Sequence, residues 1–235
     1  MANKIQWLGH STFLIQTSQG KHILIDPWVY QNPACPESAK NLEKIDLMLI
    51  THGHFDHCAD AEELAQKYNP TIVAIFEIGS YLEQKNVQNV SPMNKGGSQT
   101  IHNIQITMTH AFHSSGIGLN QAIVEGGEAA GFVVKLEDGF TFYHAGDTCL
   151  FGDMTWIAKL YQPQLAMLPI GDRFTMGPKE AAYAAQLLQT PKVIPMHFGT
   201  FPLLTGTTEE FQQALQKISP NTQLIQFQPG EIKEF

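Results

Sequence analysis

The chain has 235 residues, and 14 Lys and Arg against 22 Asp and Glu give it a formal net charge of −8. Only 15% of the residues are charged, which argues against charge-driven disorder, and the acidic balance argues against binding to a nucleic-acid backbone. The apolar runs are too short to span a bilayer, the N-terminus resembles no signal peptide, and the three cysteines form no CxxC pair. We therefore expect a cytoplasmic protein without a membrane or nucleic-acid partner, and its ten histidines require an explanation.

The first half of the chain predicts several strands around one helix. A helix is expected from Asp60 to Tyr68, because Asp60 can cap its N-terminus and Glu63 follows three residues later. The apolar run Asp46–Ile50 suits a strand that is buried on both faces. Further strands, rich in β-branched and aromatic residues, are predicted within residues 4–9, 12–17, 22–27 and 71–76.

The second half repeats this pattern. Asp138-Gly139 is a strong signal for a two-residue hairpin, and Pro178 is expected to open a helix that runs to about Leu188. Thr207 and Glu210 form a capping box before a helix to about Ile218. Strands are predicted over residues 131–137, 140–144, 165–170, 193–196 and 224–227, and Pro229-Gly230 is expected to end the last one.

Alternating strands and helices, with an antiparallel hairpin in each half, predict an α/β fold of two mixed β-sheets flanked by helices. We expect a single domain over residues 1–235 with two pseudo-repeated halves, about 1–115 and 116–235. The Gly-rich stretch 114–130 is long for a loop, so it is predicted to be a lid or an interface arm. The expected partners are a small-molecule substrate and, as an open alternative, further copies of the chain in a homo-oligomer.

The segment from Thr51 to His57, THGHFDH, carries the clearest chemical signal. It places four potential metal ligands within six residues, just after a strand that is predicted to be buried. Ligand sites in open α/β sheets lie where strand ends meet helix starts, and imidazole with carboxylate suits Zn, Fe, Ni and Cu. A solvated loop is a poor alternative, because polar groups this dense at the end of an apolar strand need partners.

The HxHxDH pattern resembles the signature of the metallo-β-lactamase superfamily, and the resemblance covers nearly the whole chain. It implies a four-layer αβ/βα sandwich with metals between the sheets. The branch it most resembles is that of small bacterial and archaeal metal-dependent hydrolases of unknown substrate, near the ascorbate-phosphate lactonases and N-acyl-phosphatidylethanolamine phospholipases D. The matching motifs are Leu8-Gly9-His10-Ser11, Ile25-Asp26-Pro27-Trp28, Ala111-Phe112-His113-Ser114-Ser115, Tyr143-His144-Ala145-Gly146-Asp147-Thr148 and Pro195-Met196-His197.

The resemblance implies a ligand set for two divalent metal ions. One ion would be held by His52, His54 and His113, with His113 preferred over His110, which lies on the predicted strand. The other would be held by Asp56, His57 and His197, and Asp147 would bridge the two. Three protein ligands for each ion plus a shared carboxylate leave room for water, as in a catalytic site. Zn is the expected metal, with Mn, Fe or Ni as alternatives.

Other polar residues near these motifs receive weaker assignments. Asp26 is expected to orient the metal-binding turn from behind, and His144 to be structural or to support the ligands. His10 is either a substrate contact or a buried core histidine, and Arg173 either clamps an anionic substrate or pairs with Asp172. Ser114 is expected to line the substrate site, His22 and His102 to be surface groups, and Cys58 and Cys149 to be small buried residues.

The expected activity is hydrolysis of a phosphoester, a lactone or another ester-type bond in a small polar or anionic substrate. Two metals about 3.5–4 Å apart would lower the pKa of a shared water, with Asp56 and Asp147 taking part directly in the reaction. The alternatives are an iron-dependent oxidoreductase or dioxygenase on the same fold, a nucleic-acid processing enzyme and a non-catalytic metal-binding module. The acidic charge opposes nucleic-acid processing, and the complete ligand set opposes the non-catalytic module.

Overall fold

The computed structural model describes residues 1–119 and 122–235. The first strands are β1 (Lys4–Trp7), β2 (Phe13–Gln16), β3 (His22–Ile25), β4 (Leu47–Leu49), β5 (Thr71–Val73), β6 (Ser98–Ile101) and β7 (Ile104–His110). The later strands are β8 (Ile117–Leu119), β9 (Ala122–Val124), β10 (Ala130–Lys135), β11 (Thr141–His144), β12 (Leu165–Pro169), β13 (Lys192–Met196), β14 (Gln223–Leu224) and β15 (Ile232–Glu234). The α-helices are α1 (Phe55–Cys58), α2 (Ala61–Tyr68), α3 (Phe76–Gln84), α4 (Met154–Tyr161), α5 (Pro178–Leu188) and α6 (Thr208–Ile218).

Two large mixed sheets organise these elements. The first has the order β15-β1-β2-β3-β4-β5, in which β3, β4 and β5 are parallel and the other neighbours are antiparallel. The second has the order β14-β13-β12-β11-β10-β7-β6, in which β11 to β14 are parallel. A separate two-stranded hairpin is formed by β8 and β9. The predicted α/β fold, a four-layer αβ/βα sandwich, is therefore confirmed.

The parallel strands explain where the polar motifs meet. Every residue of β4 and of β12 is buried, as expected for strands covered on both faces. The chain leaves β3 at Asp26 and approaches His52 from β4, and it leaves β11 and β13 shortly before Asp147 and at His197. Parallel strands end at the same edge of their sheet, so Asp26 and His52 lie at one edge of the first sheet, and Asp147 and His197 at one edge of the second. The two edges meet at one end of the molecule, where His57 Nε2 lies 3.3 Å from Asp147 Oδ2.

Several local predictions are confirmed by the described elements. A hairpin joins β10 to β11 at Asp138-Gly139 as predicted, but its loop has three residues, 137–139, instead of two, because the Leu136 amide donates to the Phe140 carbonyl at 2.8 Å. Pro178 is the first residue of α5. Thr207 and Glu210 form the reciprocal capping box of α6, in which each side chain accepts from the other residue's backbone amide.

The strand predictions differ most from the structure after residue 73 and near the C-terminus, where the strand predicted over 224–227 is reduced to β14 (Gln223–Leu224). The strand predicted over 71–76 ends at Val73, and helix α3, which we did not predict, begins at Phe76. Near the C-terminus, Pro229-Gly230 redirects the chain instead of ending the last strand. The Gly230 amide donates to the Trp7 carbonyl at 2.6 Å, and β15 then pairs antiparallel with β1 in the first sheet. Helix α4 was also missed.

The two sheets do not follow the proposed division into halves near residue 115. Strands β6 and β7 precede that boundary but belong to the second sheet, and β15 joins the first sheet from the far end of the sequence. The division into one domain with pseudo-repeated halves stays a prediction.

Four side chains differ from their predicted roles. The Asp60 carboxylate makes no cap hydrogen bond to α2, because its Oδ2 atom accepts the Val29 and Tyr30 amides at 2.6 and 2.7 Å. His22 is buried, with Nδ1 3.8 Å from Asp46, whereas His102 is exposed as expected. Cys149 is exposed rather than buried, and Cys58 is only half-buried.

The stretch 114–130 contains the hairpin β8–β9, and its residues 120–121 lie outside the described part of the chain. Its base is tied to the His-rich turn, because Ser115 Oγ accepts the Gly53 amide at 3.1 Å and donates to the Gly126 carbonyl at 3.0 Å. Its role as a lid or an interface arm stays a prediction. Across residues 1–119 and 122–235, no helix has the length and apolar character needed to cross a membrane.

Candidate metal centre

The His-rich turn begins where β4 ends. Thr51, His52 and Gly53 are buried, and helix α1 starts at Phe55 without a side-chain cap from His54. A Cβ atom at Gly53 would lie 2.7 Å from Ile117 Cγ1 and 2.8 Å from the Ser115 carbonyl oxygen. Glycine is therefore required here because the 115–117 segment passes directly over the turn.

Seven side chains from four strand ends converge around the Asp147 carboxylate. Asp147 Oδ2 lies 3.0 Å from His197 Nε2, 3.3 Å from His57 Nε2, 3.6 Å from His113 Nε2 and 3.8 Å from His52 Nε2. His54 lies beyond them, with Nδ1 3.0 Å from His52 Nε2. Three overlapping groups can each hold an ion: His52, His54 and His113; His52, His57 and Asp147; and His10, Asp56, His57 and His197.

The donor atoms of this cluster fit divalent metal ions. Asp147 Oδ1 and His57 Nε2 are buried without a hydrogen-bond partner anywhere in the described part of the chain. Leaving such buried polar atoms unsatisfied is costly, so the arrangement calls for an electrophile. Five imidazoles with two carboxylates form a borderline donor set of the kind that binds Zn, Mn, Fe or Ni.

Burial and the neighbouring charges set the protonation of these groups. Burial lowers the pKa of His52 well below its usual value, and it also lowers the pKa of His54 and of His113. Neutral imidazole is the form that binds a metal. Against the effect of burial, the His197 and His57 rings hold the pKa of Asp147 well below its usual value. Although burial opposes it, the Asp147 and Asp26 carboxylates raise the pKa of His57 well above its usual value. The cluster therefore places the Asp147 carboxylate anion beside His57, with neutral forms favoured at His52, His54 and His113.

Asp26 supports the turn from behind. It is buried, and its Oδ2 atom lies 2.7 Å from His57 Nδ1 and accepts the Thr51 hydroxyl at 2.9 Å. Its Oδ1 atom accepts the Thr51 amide at 2.8 Å. With Nδ1 of His57 held by this carboxylate, Nε2 faces Asp147. This geometry agrees with the orienting role expected for Asp26.

Of the two roles expected for His10, its surroundings match the buried core histidine. The side chain is completely buried, with Nε2 3.1 Å from Asp56 Oδ2 and Nδ1 2.9 Å from Thr200 Oγ1. Burial and the adjacent His197 lower the pKa of His10 to about 4. A neutral ring that donates from Nε2 to Asp56 and accepts from Thr200 satisfies both contacts. His10 thus links a cluster carboxylate to the loop after β13.

His144 contacts backbone rather than the cluster side chains. Its Nε2 atom lies 3.1 Å from the Ser11 carbonyl oxygen, and its Nδ1 atom accepts the Gly146 amide at 3.2 Å. The contact with Gly146 fixes the turn that leads into Asp147. Of the two expectations for His144, its hydrogen bonds match the structural one.

The structure separates His113 from its rival His110. His113 lies beside His54, with Nε2 3.3 Å from His54 Nδ1. His110 points elsewhere, with Nδ1 3.1 Å from Lys95 Nζ. Ser114 follows His113, and its hydroxyl lies 3.3 Å from His54 Nε2 at the exposed side of the cluster.

Arg173 does not take either of its predicted positions. Its guanidinium lies over the Phe174 ring, 5.6 Å from the ring centre, and Arg173 does not line the cavity beside the cluster. Within the described residues it forms no ion pair with Asp172, whose carboxylate instead accepts the Arg173 backbone amide at 2.7 Å. The Arg173 side chain is exposed.

A cavity of about 580 Å³ opens onto the cluster. The apolar side chains of its wall were not predicted as site residues. The signal for them was the apolar run Phe201–Leu204, which follows His197 without forming a strand or helix. The cavity is lined by His54, Phe55, Asp56, His113, Ser114, Asp147, Phe174, His197, Phe201, Pro202, Leu203 and Leu204.

Comparisons with known proteins agree with this geometry. Residues 21–198 match the family model described as the beta-lactamase superfamily domain. A UPF0173 metal-dependent hydrolase of Koribacter versatilis is 55% identical over 228 residues, covering 97% of this chain and 96% of the relative. The structure of Igni18, a metallo hydrolase of Ignicoccus hospitalis, is similar with a TM-score of 0.87 and 34% identity, over 100% of this chain and 99% of that one.

A more distant structure shares the fold alone. CmlA, a diiron beta-hydroxylase from Streptomyces venezuelae, is 12% identical with a TM-score of 0.74, over 100% of this chain and 54% of that one. The same fold therefore accommodates different chemistry in other proteins, so the reaction must be argued from the site.

Proposed function

Because the chain belongs to the beta-lactamase superfamily domain family and to the UPF0173 family of metal-dependent hydrolases, we propose that it hydrolyses an ester-type bond with two divalent metal ions. The bond is a phosphoester, a lactone or another ester. The observation that carries the proposal is the convergence of seven imidazole and carboxylate side chains at a cavity. Among their buried atoms, Asp147 Oδ1 and His57 Nε2 lack a hydrogen-bond partner in the described structure.

The proposed ligands fall into two sets. One ion is held by His52, His54 and His113, and the other by Asp56, His57 and His197, with Asp147 shared between them. Zinc is the proposed metal, with Mn, Fe or Ni as alternatives. Two such ions supply Lewis acidity, which lowers the pKa of water and polarises an oxygen of the scissile group.

The protein's own groups divide the remaining tasks. Asp147 lies at the centre of the cluster, with its side chain only 2% exposed and its Oδ2 atom 3.0 Å from His197 Nε2. Asp56 is the more exposed of the two carboxylates that line the cavity, with 15% of its side chain exposed. His10 fixes one oxygen of Asp56, and we propose that the carboxylate accepts the proton of the attacking water and passes it to the leaving group. Ser114 lies at the cavity edge, where it can contact the bound substrate.

The first experiment is metal analysis of protein purified without chelator. We expect about two equivalents of a divalent metal, followed by activity on at least one member of a panel of phosphodiester, lactone and thioester substrates. Asp147→Ala should lower both the metal content and the activity. Full metal content and activity in Asp147→Ala would contradict the proposal.

The same preparation tests the iron-dependent alternative. Stoichiometric iron, an iron-dependent optical spectrum and oxygen uptake without hydrolysis would favour an oxidoreductase or dioxygenase. We further propose that the protein acts in the cytoplasm on a small molecule, with no nucleic-acid or membrane partner. Sedimentation of the purified protein tests the predicted homo-oligomer.

A further inference from the structure

The cavity has two chemically different sides. Besides the His and Asp residues of the cluster, the lining includes six apolar residues, here called the wall: Phe55, Phe174, Phe201, Pro202, Leu203 and Leu204. Phe55, Phe174 and Leu203 are 60%, 53% and 48% exposed. Isolated exposed apolar side chains are ordinary, but several grouped around one cavity beside a reactive cluster mark a binding surface.

The wall is held in place before any ligand binds. The Phe201 ring stacks on Trp28, with ring centres 5.9 Å apart and planes 27° apart, and it also contacts Phe55 at 6.5 Å. The neighbouring Thr200 hydroxyl is bonded to the buried His10. Aromatic packing on one side and this hydrogen bond on the other fix the loop relative to the cluster, which reduces the entropy that binding would cost.

The turn that carries Phe174 is strained. Asp172 and Arg173 are consecutive non-glycine residues in the left-handed region, with φ of 63° and 56°. Such a conformation costs free energy and persists only where the surroundings impose it. The Phe174 amide donates to the Asp172 carbonyl at 2.6 Å, and the resulting turn places the Phe174 ring in the cavity while Arg173 remains outside. The turn therefore presents an aromatic surface, not a cation, to the ligand.

The charged groups that line the cavity also favour an apolar ligand group at the wall. Its lining includes carboxylates, imidazoles and one hydroxyl on the cluster side, and no lysine or arginine among the described residues. A small anionic substrate would find no basic side chain there away from the cluster. We infer, on the basis of the proposed hydrolase function, that the substrate joins an ester-type group to an apolar acyl, alkyl or aryl group, and that this group binds against the wall.

The test uses the metal-loaded protein and a series of p-nitrophenyl esters from acetate through butyrate to octanoate. Burial of each added methylene should raise kcat/KM roughly threefold to fourfold until the cavity is filled. A second measurement does not depend on turnover: calorimetric titration with octanamide and with acetamide should show binding of octanamide alone. Both measurements are repeated in Leu203→Asp and in Phe174→Ala, which should flatten the ester series and weaken octanamide binding.

Matched controls lie on α4, away from the cavity. Leu160 and Trp156 are 66% and 56% exposed there. Leu160→Asp and Trp156→Ala should therefore leave the ester series and octanamide binding unchanged. Equal effects of Leu203→Asp and Leu160→Asp would overturn the inference, because the change would then reflect charge or stability rather than the wall.

Other outcomes separate the two proposals. Hydrolysis of the acetate ester with a flat series and no octanamide binding would overturn the apolar site while supporting the hydrolase. Octanamide binding that depends on Leu203, without hydrolysis of any ester, lactone or phosphodiester, would support the apolar site and overturn the proposed function. Loss of an oligomer in Leu203→Asp, seen by sedimentation, would identify the wall as a subunit interface and overturn the inference.

Discussion

The cluster side and the wall side of the cavity are built in different ways. The cluster side follows the ends of regular strands, and its side chains are buried or half-buried, with His57 fixed by a hydrogen bond to Asp26. Except for Phe55, the first residue of α1, the wall side stands on loops, and several of its apolar side chains are substantially exposed. Rigid strand ends give the precision that bond cleavage needs, whereas loops can change their side chains without disturbing the sheets. We therefore expect reaction type and substrate choice to depend largely on different segments, with Phe55 as the wall residue that lies within the His-rich turn.

The sharpest way to test this division is Asp147→Asn. Removing the charge of Asp147 should lower activity by at least about a hundredfold. This is more than is usually lost when a residue that only hydrogen-bonds to a metal ligand is changed. Metal content, measured by elemental analysis, should fall in both sites. Asp153→Asn is the control, since Asp153 is exposed just before α4. Unchanged metal binding in Asp147→Asn would contradict the comparison, because Asp147 would then not be the shared ligand at the centre of the cluster side.

Asp26→Asn should have the next largest effect. The amide cannot serve as the anionic acceptor for His57 Nδ1, so metal affinity should fall roughly tenfold to a hundredfold. Competition with a chromophoric chelator measures this change. An affinity equal to that of the unmodified protein would show that His57 is oriented without Asp26.

Gly53→Ala probes the contact between the His-rich turn and the 115–117 segment. The new Cβ would meet Ile117 Cγ1 and the Ser115 carbonyl within 3 Å, and such overpacking typically costs about 1–3 kcal/mol of unfolding free energy. Thermal or urea unfolding measures the loss. Gly152→Ala is the control, because a Cβ there meets no atom within 4 Å; equal loss in both variants would argue against the close approach.

Phe174→Ala tests the wall side of the comparison. Its metal content should equal that of the unmodified protein, because the side chain contacts none of the proposed ligands. KM for the octanoate ester should rise by roughly tenfold or more, as expected for losing much of a buried aromatic contact. Steady-state kinetics together with metal analysis separates the two effects. A drop in metal content would show that the two sides are not independent.

The smallest expected effect is that of Asp46→Asn, which removes a carboxylate that lies outside the cluster. Asp46 precedes β4, at the opposite end from the His-rich turn. Burial opposes ionisation, but the His22 amide at 2.7 Å and the Lys44 ammonium at 3.0 Å lower the pKa of Asp46 below its usual value. We expect Asp46→Asn to lower the free energy of unfolding by about 1 kcal/mol and to leave metal binding unchanged.

The sign of its pH dependence follows from the depressed pKa. The stabilisation should be complete above the unfolded-state pKa of about 3.9 and should disappear as the pH falls through the lower folded-state value. The difference in unfolding free energy between Asp46→Asn and the unmodified protein should therefore shrink below about pH 4. A difference that persists at pH 2 would contradict this account.

The sequence pattern allowed the His-rich turn to be predicted because it sits at a recognisable strand end, whereas His113, Asp147 and His197 were assigned through the resemblance to the metallo-β-lactamase superfamily. THGHFDH directly follows an apolar strand, and a polar run there needs partners. The wall was harder to predict, since nothing in the sequence shows that Phe174 projects from a left-handed turn or that Phe201 stacks on Trp28. His10 was ambiguous for a similar reason, because its bond to Asp56 joins distant segments. Long-range contacts in loops leave no periodic signal.

The pairing of β15 with β1 has a consequence for how the chain folds. Strand β1 finds one of its neighbours only in β15, which is separated from it in sequence by both large sheets, while β6 and β7 must wait for β10 before they can join the second sheet. Neither sheet can therefore be completed in the order of translation, and the open edge of β1 stays available for incorrect association until β15 has been made. Such high contact order predicts slow folding, with the docking of β15 completing the first sheet.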